Sequence, residues 1–195
     1  MKKEAITEER IIDTAIALIH SEGGIHGLNL RRIARELKCA HTNLYNYFPD
    51  MDALLWRCVH EAGARMMSSV RNKLLSVTPQ KAPAALFGAF MDFYLANPGL
   101  FRLIWMEDIR GTRPEADTRA AEQAITRLVQ DFIRACGVTM KGDKAMQMVH
   151  TIHCYLFGEV AIFLAGRGLI REEQAFRRYV VAQCAEQAAA LLSRR

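Results

Sequence analysis

The chain has 195 residues, of which 51% are hydrophobic and 24% are charged. This length allows one domain or two small ones, and this composition is typical of a globular protein rather than of a disordered chain. The longest stretch without Asp, Glu, Lys or Arg has 14 residues, 145–158, whereas a membrane-spanning helix needs about 20. Acidic residues at positions 4, 8 and 9 interrupt the order of a secretory signal. We therefore expect a cytoplasmic protein with no membrane segment.

The cysteines indicate neither a disulfide framework nor a structural metal site. Their number is odd and no CxxC pair occurs among Cys39, Cys58, Cys136, Cys154 and Cys184. Each lies among apolar neighbours, so we interpret all five as small buried side chains in a reducing compartment.

The net charge of +5 is a weak indication of an anionic partner, and its distribution is more informative. Within residues 28–48 a single acidic residue, Glu36, stands against four basic ones, which are Arg31, Arg32, Arg35 and Lys38. This window is locally +3, so a nucleic-acid surface is to be sought here.

The first predicted helix begins after Thr7, a candidate N-cap, and ends at Gly23 and Gly24. Its apolar residues follow the i, i+3, i+4, i+7 spacing of one helix face: Ile12, Ala15, Ile16 and Ile19. Asn29 can cap a second short helix, whose inner face is Ile33, Ala34 and Leu37. A third short segment covers about 40–47.

Pro49 and Asp50 end that segment and open a long helix. Its apolar residues recur every three or four positions: Leu55, Val59, Ala62, Met66 and Val70. After a linker marked by Pro79 and Pro83, five more helices are predicted at about 83–96, 99–110, 115–136, 141–166 and 172–193. The predicted fold class is all-α, with a compact N-terminal three-helix unit joined by a long helix to a C-terminal bundle.

Two short helices separated by about three residues match the helix-turn-helix unit, which lays its second helix in the major groove of DNA. The string LNLRRIARELKCAHTNLYNYFPDMDALL, residues 28–55, resembles the DNA-binding signature of the TetR family of transcriptional regulators. The resemblance rests on the Ile33 and Ala34 pair, the LYNYF block at 44–48, and the Leu54 and Leu55 pair, and with the first helix it covers roughly residues 8–60.

The resemblance implies a one-component transcriptional regulator. Residues 1–50 would be a helix-turn-helix domain that binds a palindromic operator in double-stranded DNA. Residues 51–195 would dimerise through the last two helices and bind a small-molecule effector, whose binding releases a repressor from DNA. No catalytic residue, metal or cofactor is expected, since HExxH, GxSxG, P-loop and dinucleotide glycine patterns are missing from the sequence. The alternative is a helical dimeric sensor or interaction protein with weakened DNA binding.

The family pattern assigns Leu44 and Phe48 to the core and turns the residues around them toward DNA, namely His41, Thr42, Asn43, Tyr45, Asn46 and Tyr47. The chemistry agrees, because Asn pairs bidentately with adenine, a Thr methyl meets a thymine methyl, and a Tyr hydroxyl suits a phosphate. The alternative for the two tyrosines is that they are packed aromatics. At the start of the preceding helix, Asn29, Arg31 and Arg32 are candidate DNA contacts, and for the arginines a solvated face is equally plausible.

Three residues depart from the family pattern. Lys38 stands where a turn glycine is usual, Ala40 where Ser or Thr usually caps the recognition helix, and Met51 where Lys often opens the fourth helix. These departures predict a strained turn, a missing cap and a missing phosphate contact, respectively. They are also what favours the alternative function.

Aromatic residues crowd into one part of the C-terminal half. Six of the 16 aromatic residues lie within 19 positions: Phe87, Phe90, Phe93, Tyr94, Phe101 and Trp105. Such a cluster can line a cavity for an apolar ligand or can be a filled core. We select as candidate effector-binding residues Phe90, Tyr94, Phe101, Trp105, His153, Phe157 and Glu159, and expect a small lipophilic effector, cations included.

The stretch from residue 145 to 166 contains one charged residue, Glu159, and is apolar on nearly every side. Such a helix must be central or covered by a partner subunit. The last helix should contribute to the predicted dimer interface with Phe176, Val180, Cys184, Ala188 and Leu191. Glu159 is either neutralised by a buried Arg or kept for an effector. His150, His153 and Cys154 share one turn, but without a fourth ligand we predict no metal site.

Overall fold

The computed structural model describes residues 5–193, and these are all-α, as predicted, with no strand among them. Two 3-10 helices lie at His41–Asn46 and Pro79–Lys81. The α-helices are α1 (Glu8–Glu22), α2 (Leu30–Glu36), α3 (Met51–Leu75), α4 (Ala82–Ala96), α5 (Pro98–Trp105), α6 (Glu115–Ala135), α7 (Gly142–Leu164) and α8 (Glu173–Leu192). None of the helices described is long and apolar enough to cross a membrane.

The described residues form two compact units. The first contains residues within 1–64 and 97–121, and the second contains residues within 65–96 and 122–195. The boundary predicted at residue 50 separates a DNA-binding domain from an effector-binding and dimerisation domain. The compact units do not test this division of function, so it stays a prediction.

α1 begins and ends where the sequence indicates. The Thr7 side chain accepts a hydrogen bond from the backbone N–H of Arg10 at 3.3 Å, and Gly23 closes the helix with φ 71°. This φ lies in the left-handed region that glycine adopts without a steric penalty. The apolar face of α1 is buried, as predicted from its spacing: Ile11, Ile12, Ala15, Ile16 and Ile19.

α5 packs on α1 at a point that leaves no room for a side chain. A Cβ on Gly99 would collide with the carbonyl oxygen of Ile19 and would lie 3.0 Å from backbone atoms of Gly23 and Gly24. The Arg102 guanidinium donates to the carbonyl of Gly23 and so satisfies an end group of α1. The first unit therefore includes a segment that is remote from α1 in sequence.

The buried carboxylate of Asp117 joins three helices of the first unit. Its Oδ1 accepts a hydrogen bond from Arg57 at 3.0 Å and lies 3.4 Å from Nδ1 of His60. Arg57 also donates to Glu8 at 3.2 Å. α1, α3 and α6 are thus connected through one guanidinium, which satisfies the requirement that a buried charge be paired.

The helix predicted at 99–110 is wrong beyond Trp105, where α5 ends. Side chains of α3 hold the backbone that follows in a non-helical course. The Trp56 indole donates to the carbonyl of Arg110 at 3.1 Å, and the Arg110 N–H donates to Asp52 at 3.3 Å. These tertiary bonds satisfy backbone groups that would otherwise favour helix continuation.

In the second unit, α4, α7 and α8 contact one another, and Phe87 of α4 packs edge-on against Phe132 of α6. The residues of α8 predicted for a dimer seam have a different place. Four of them are buried within the single chain, which are Phe176, Val180, Cys184 and Ala188, and Leu191 is half-buried. That part of the dimer prediction is wrong, because the same helical stripe packs inside the subunit.

α7 is buried along one face rather than on every side. Its inward residues are Ala145, Met148, Val149, Ile152, Leu156 and Val160. Ile162 is 49% exposed, and Cys154 is exposed, which corrects the interpretation of all five cysteines as buried. Cys39 and Cys136 are half-buried, whereas Cys58 and Cys184 are buried. A second, outward face of α7 therefore lacks cover from its own chain.

The strained turn predicted at Lys38 is confirmed. Lys38 has φ 53°, and it is the one non-glycine residue with positive φ in the described part of the chain. The N–H of Cys39 donates to the carbonyl of Ala34 at 2.9 Å, which is the helix-ending hydrogen bond that requires a left-handed residue before it.

Replacing Lys38 with glycine is expected to raise the free energy of unfolding by up to about 1 kcal/mol. The substitution removes a left-handed penalty of roughly 1 to 2 kcal/mol and adds a backbone-entropy cost of about 0.5 to 1 kcal/mol. Urea denaturation measures the change. Arg35→Gly, inside α2, is the control and should lose about 1 kcal/mol. Equal losses for the two variants would contradict strain at Lys38.

Candidate functional site

The recognition segment, residues 41–48, has two buried anchors and an exposed polar surface. Leu44 is fully buried and Phe48 is 3% exposed. The residues predicted to face DNA are all exposed: His41, Thr42, Asn43, Tyr45, Asn46 and Tyr47. Two anchors four positions apart fix the orientation of the segment, so the side chains between them point to solvent.

Most of the recognition segment, His41–Asn46, is a 3-10 helix, and it begins without a side-chain cap. Ala40 is extended and its side chain provides no hydrogen bond, which confirms the predicted missing cap. The tight helix supplies its own bonds, since the N–H of Asn43 donates to Ala40 and that of Tyr47 donates to Leu44, both at 3.0 Å. Such i to i+3 bonds are the usual way to satisfy short helix ends.

The two tyrosines of the recognition segment have different environments. Tyr45 is 53% exposed, and its ring meets that of His41 edge-on at 6.3 Å. The hydroxyl of Tyr47 donates to the carbonyl of Ile6 at 2.7 Å. Tyr47 therefore connects the recognition segment to the chain ahead of α1, whereas Tyr45 contacts a neighbour within the segment.

The three candidates at the start of α2 also differ. The Asn29 side chain caps α2 by accepting from the N–H of Arg32 at 3.0 Å, and it donates to Gly27 at 3.3 Å. Arg32 donates to the Glu22 carboxylate at 2.7 Å, which neutralises its charge. Arg31 is exposed and has no ion-pair partner among residues 5–193. Arg31 is thus the cation of this helix start that remains available to a phosphate.

A cleft of about 580 Å³ adjoins the recognition segment. Its lining includes side chains that sequence reasoning did not place near the site, because nothing in their spacing links them to it. The lining residues are Ala5, Ile6, Leu37, Cys39, Ala40, Asn43, Asn46 and Tyr47. The two asparagine amides therefore border open space on this side.

Three of the seven predicted effector-binding residues form one cluster in the second unit. The Tyr94 hydroxyl lies 2.8 Å from Nε2 of His153, and the Phe90 ring meets the His153 ring at 4.9 Å. Burial lowers the pKa of His153 to about 4, with the charge of His150 as a second cause. A neutral imidazole at this position can accept a hydrogen bond from the hydroxyl of Tyr94.

The other four predicted residues differ in burial. Glu159 is half-buried and lines a cavity of about 320 Å³ together with Arg167, Phe176 and Tyr179. The arginine that shares this cavity is exposed, so it is not the buried arginine of the first alternative for Glu159. Burial and the nearby Glu159 carboxylate raise the pKa of Tyr155 to about 12.

Two more of these four belong to the first unit, where Phe101 is buried and Trp105 is 43% exposed. The fourth, Phe157, is half-buried in α7.

Comparison with family models decides the class of protein. Residues 84–184, half of the chain, match the tetracyclin repressor-like C-terminal domain, and residues 11–58 match the bacterial regulatory proteins of the tetR family. The chain belongs to the TetR family. This family consists of DNA-binding transcriptional regulators that act as dimers, and it is not a family of enzymes.

Curated relatives of this TetR-family chain are named nucleoid occlusion factor SlmA. The one from Haemophilus influenzae is 25% identical over 139 residues, which are 68% of this chain and 62% of the relative. The chain thus spans less than two thirds of that relative's length.

Two solved structures share the TetR-family fold. One, from Rhodococcus sp. RHA1, has a TM-score of 0.73 at 19% identity and covers 94% of this chain and 95% of its own. The other is a variant of TetR from Acinetobacter baumannii AYE in complex with minocycline, with a TM-score of 0.64, 18% identity, and 95% and 96% coverage. Identities this low show a shared fold only.

Met51, which stands where the TetR family often has a lysine, lies at the start of α3. Asp50 caps α3 by accepting from the N–H of Ala53 at 2.8 Å, and Met51 is the first, half-buried residue of the helix. A methionine offers no charge there, so the missing phosphate contact stays a prediction.

His153 predicts a pH dependence of stability. Its pKa is about 4 in the fold and about 6.5 in the unfolded chain, so the fold favours the neutral imidazole. The contribution is complete above pH 6.5 and is lost as the pH falls toward 4. Between pH 7 and 4.5, wild type should lose about 2 kcal/mol more than His153→Gln in urea denaturation. His26→Gln, at an exposed site, should keep the wild-type slope. Equal slopes for wild type and His153→Gln would contradict a buried neutral imidazole.

Proposed function

We propose that this protein is a repressor that binds a palindromic operator as a homodimer and leaves it when a small lipophilic effector binds. The observation that carries the proposal is the recognition segment, an exposed row of hydrogen-bonding side chains fixed by two buried anchors, Leu44 and Phe48. Such a rigid polar surface is what base reading in the major groove requires.

Within the surface, the roles follow from what each side chain already binds. Asn43, Tyr45 and Asn46 are assigned to base edges, with His41 and Thr42 beside them. Arg31 is assigned to a phosphate, whereas Tyr47, whose hydroxyl donates to the Ile6 carbonyl, is assigned to positioning the recognition segment. Asn29 and Arg32 are assigned to positioning α2, since both side chains are engaged by their own chain.

Selection of bound sequences from random duplex DNA tests the proposal directly. We expect a palindrome whose half-sites are separated by one helical turn of about 34 to 36 Å or a multiple of it. Recovery of no motif, together with weak salt-dependent binding, would favour the alternative of a dimeric sensor or interaction protein.

Two variants should distinguish side chains that read base edges from side chains that neutralise phosphate charge. Asn46→Ala is expected to cost about 1 to 3 kcal/mol on the selected operator and to spare binding to random DNA. Arg31→Ala should weaken both equally and reduce the slope of log affinity against log salt by about one. Fluorescence anisotropy over a salt series measures both. Equal losses for Asn46→Ala on the two DNAs would contradict its base-reading role. An unchanged salt slope for Arg31→Ala would show that Arg31 lies on a solvated face and does not contact a phosphate.

The proposed dimer forms through the outward faces of α7 and α8. His150, Cys154, Gly158 and Ile162 follow one another at four-residue steps, which is the spacing of the ridge by which helices pack. A Cβ on Gly158 would meet no atom within 4 Å, and Ile162 and Tyr179 are half-exposed. A second copy would cover these apolar side chains, and a twofold axis would present two recognition segments to a palindrome.

The effector is assigned to the second unit, at the Phe90, Tyr94 and His153 cluster or at the cavity that Glu159 lines. The TetR variant of similar fold in complex with minocycline supports a small-molecule ligand for this protein. A ligand releases DNA only if it binds the DNA-incompetent state more tightly, and a coupling of about 1 to 3 kcal/mol is typical.

Thermal shift with lipophilic compounds, followed by operator affinity for each hit, tests this assignment. Hits should stabilise the protein and loosen it from the operator. If cationic hits bind Glu159→Gln as tightly as wild type, the Glu159 carboxylate has a structural role. If no compound changes either quantity, the aromatic cluster is ordinary core.

A second candidate function is favoured by the curated relatives, all of which are named nucleoid occlusion factors. In that case the protein would act in nucleoid occlusion rather than by regulating promoters. Mapping its bound sites across the chromosome of the source organism distinguishes the two, because a repressor should occupy few sites, each beside a promoter.

A further inference from the structure

Two metal-binding side chains lie together on the outward face of α7. Nε2 of His150 lies 3.6 Å from Sγ of Cys154, and Nδ1 lies 4.0 Å away. Both residues are exposed. His153, which shares their turn, points the other way and is held by Tyr94. The turn thus presents one imidazole and one thiol to the outside.

The separation of these two atoms is that of neighbouring ligands in a tetrahedral zinc site. Zinc lies about 2.0 to 2.1 Å from nitrogen and about 2.3 Å from sulfur, so at a tetrahedral angle the N and S ligands are about 3.5 to 3.6 Å apart. Because Sγ lies almost as close to Nδ1 as to Nε2, the His150 ring must rotate to direct a nitrogen lone pair at an ion that Cys154 also binds. Imidazole with thiolate is a donor set that selects zinc-type cations over magnesium or calcium.

One protomer supplies only two ligands. Among residues 5–193, no group of three or more His, Cys, Asp or Glu side chains is placed to hold a metal. His150 and Cys154 do, however, begin the ridge that continues through Gly158 and Ile162, along which a second copy is proposed to pack. A twofold axis that passes α7 close to His150 and Cys154 would bring two such pairs together. The site would then have two His and two Cys ligands.

We propose that His150 and Cys154 are half of a zinc-type metal site that the same pair of a second copy of this chain completes. The inference rests on the proposed dimer. Binding of the divalent ion releases the thiol proton of each Cys154 to solvent, while each imidazole binds in its neutral form. A metal at this position would couple the strength of the dimer, and hence operator binding, to the supply of the ion.

Co²⁺ is a suitable probe, because tetrahedral Co²⁺ bound to thiolate absorbs strongly in the visible and has a charge-transfer band in the near ultraviolet. The reduced, metal-free full chain is titrated with Co²⁺, and its oligomeric state is measured in parallel by analytical ultracentrifugation. We expect saturation at one Co²⁺ per two chains, with displacement of Co²⁺ by Zn²⁺. Cys154→Ser and His150→Ala should abolish the charge-transfer band and the visible absorption, respectively, while Cys39→Ser should titrate as wild type.

The outcomes separate the metal site from the dimer. A dimer that gives no thiolate band would overturn the metal site and leave the dimer in place, and so would an unchanged band in Cys154→Ser. Saturation at one Co²⁺ per chain would overturn sharing between copies. A monomer with or without metal would overturn the proposed dimer and the shared site together. Operator binding is measured in a separate assay, so its result does not depend on these outcomes.

Discussion

Replacing Gly99 with alanine is expected to lower the free energy of unfolding by about 3 kcal/mol or more. The added methyl group would collide with the Ile19 carbonyl and crowd the Gly23 and Gly24 backbone, which cannot rotate away as a side chain could. Relief requires α5 to move off α1, which also pulls the Arg102 guanidinium from the end of α1. Urea denaturation followed by circular dichroism measures the change.

Gly63→Ala is the matched control for this prediction. Gly63 lies inside α3, in the same compact unit, and its Cβ would meet no atom within 4 Å. Alanine there should stabilise by about 0.5 to 1 kcal/mol through helix propensity alone. If Gly99→Ala were as harmless as Gly63→Ala, the close contact of α5 with α1 would not exist in solution.

Replacing Gly158 with arginine is expected to lower operator affinity by about 10²- to 10⁴-fold, because two linked recognition segments become two independent ones. Within one chain the new side chain has open space, so the fold should persist. In the proposed dimer it would place two like charges in the seam between α7 helices. Sedimentation equilibrium should show a monomer, and circular dichroism should show wild-type helix content.

Gly142→Arg is the control on the same helix. Gly142 is the first residue of α7, is exposed, and likewise has no atom within 4 Å of its Cβ position. Sixteen residues of an α-helix place it on a different side from Gly158. This variant should stay dimeric and bind the operator normally. A dimeric Gly158→Arg protein with full affinity would place the subunit interface on another surface.

Local signals in the sequence predict local structure well in this chain. Thr7 and Asn29 cap their helices as expected, since capping depends on residues within three positions. The left-handed Lys38 is predictable for a similar reason, because the family places a glycine at a turn whose conformation is set by neighbouring hydrogen bonds. The exposed polar residues between Leu44 and Phe48 also follow from short-range spacing.

Features that depend on distant residues could not be predicted in this way. α5 ends at Trp105 because Trp56 and Asp52 bind a backbone more than fifty positions away. Arg32 is neutralised by Glu22 across a loop, which no spacing rule announces. The stripe through Phe176 and Val180 shows that α8 has an apolar face, but periodicity does not reveal whether a neighbouring helix or another subunit covers it.

The interleaving of the two compact units has a consequence for engineering. The chain passes from one unit to the other three times, near residues 64, 96 and 121. The first and last crossings fall inside the continuous helices α3 and α6, and at the second a single residue separates α4 from α5. None of these crossings lies in a long flexible linker at which the chain could be cut and rejoined. A chimera that grafts this DNA-reading module onto a foreign sensor must therefore carry the 97–121 insert with it.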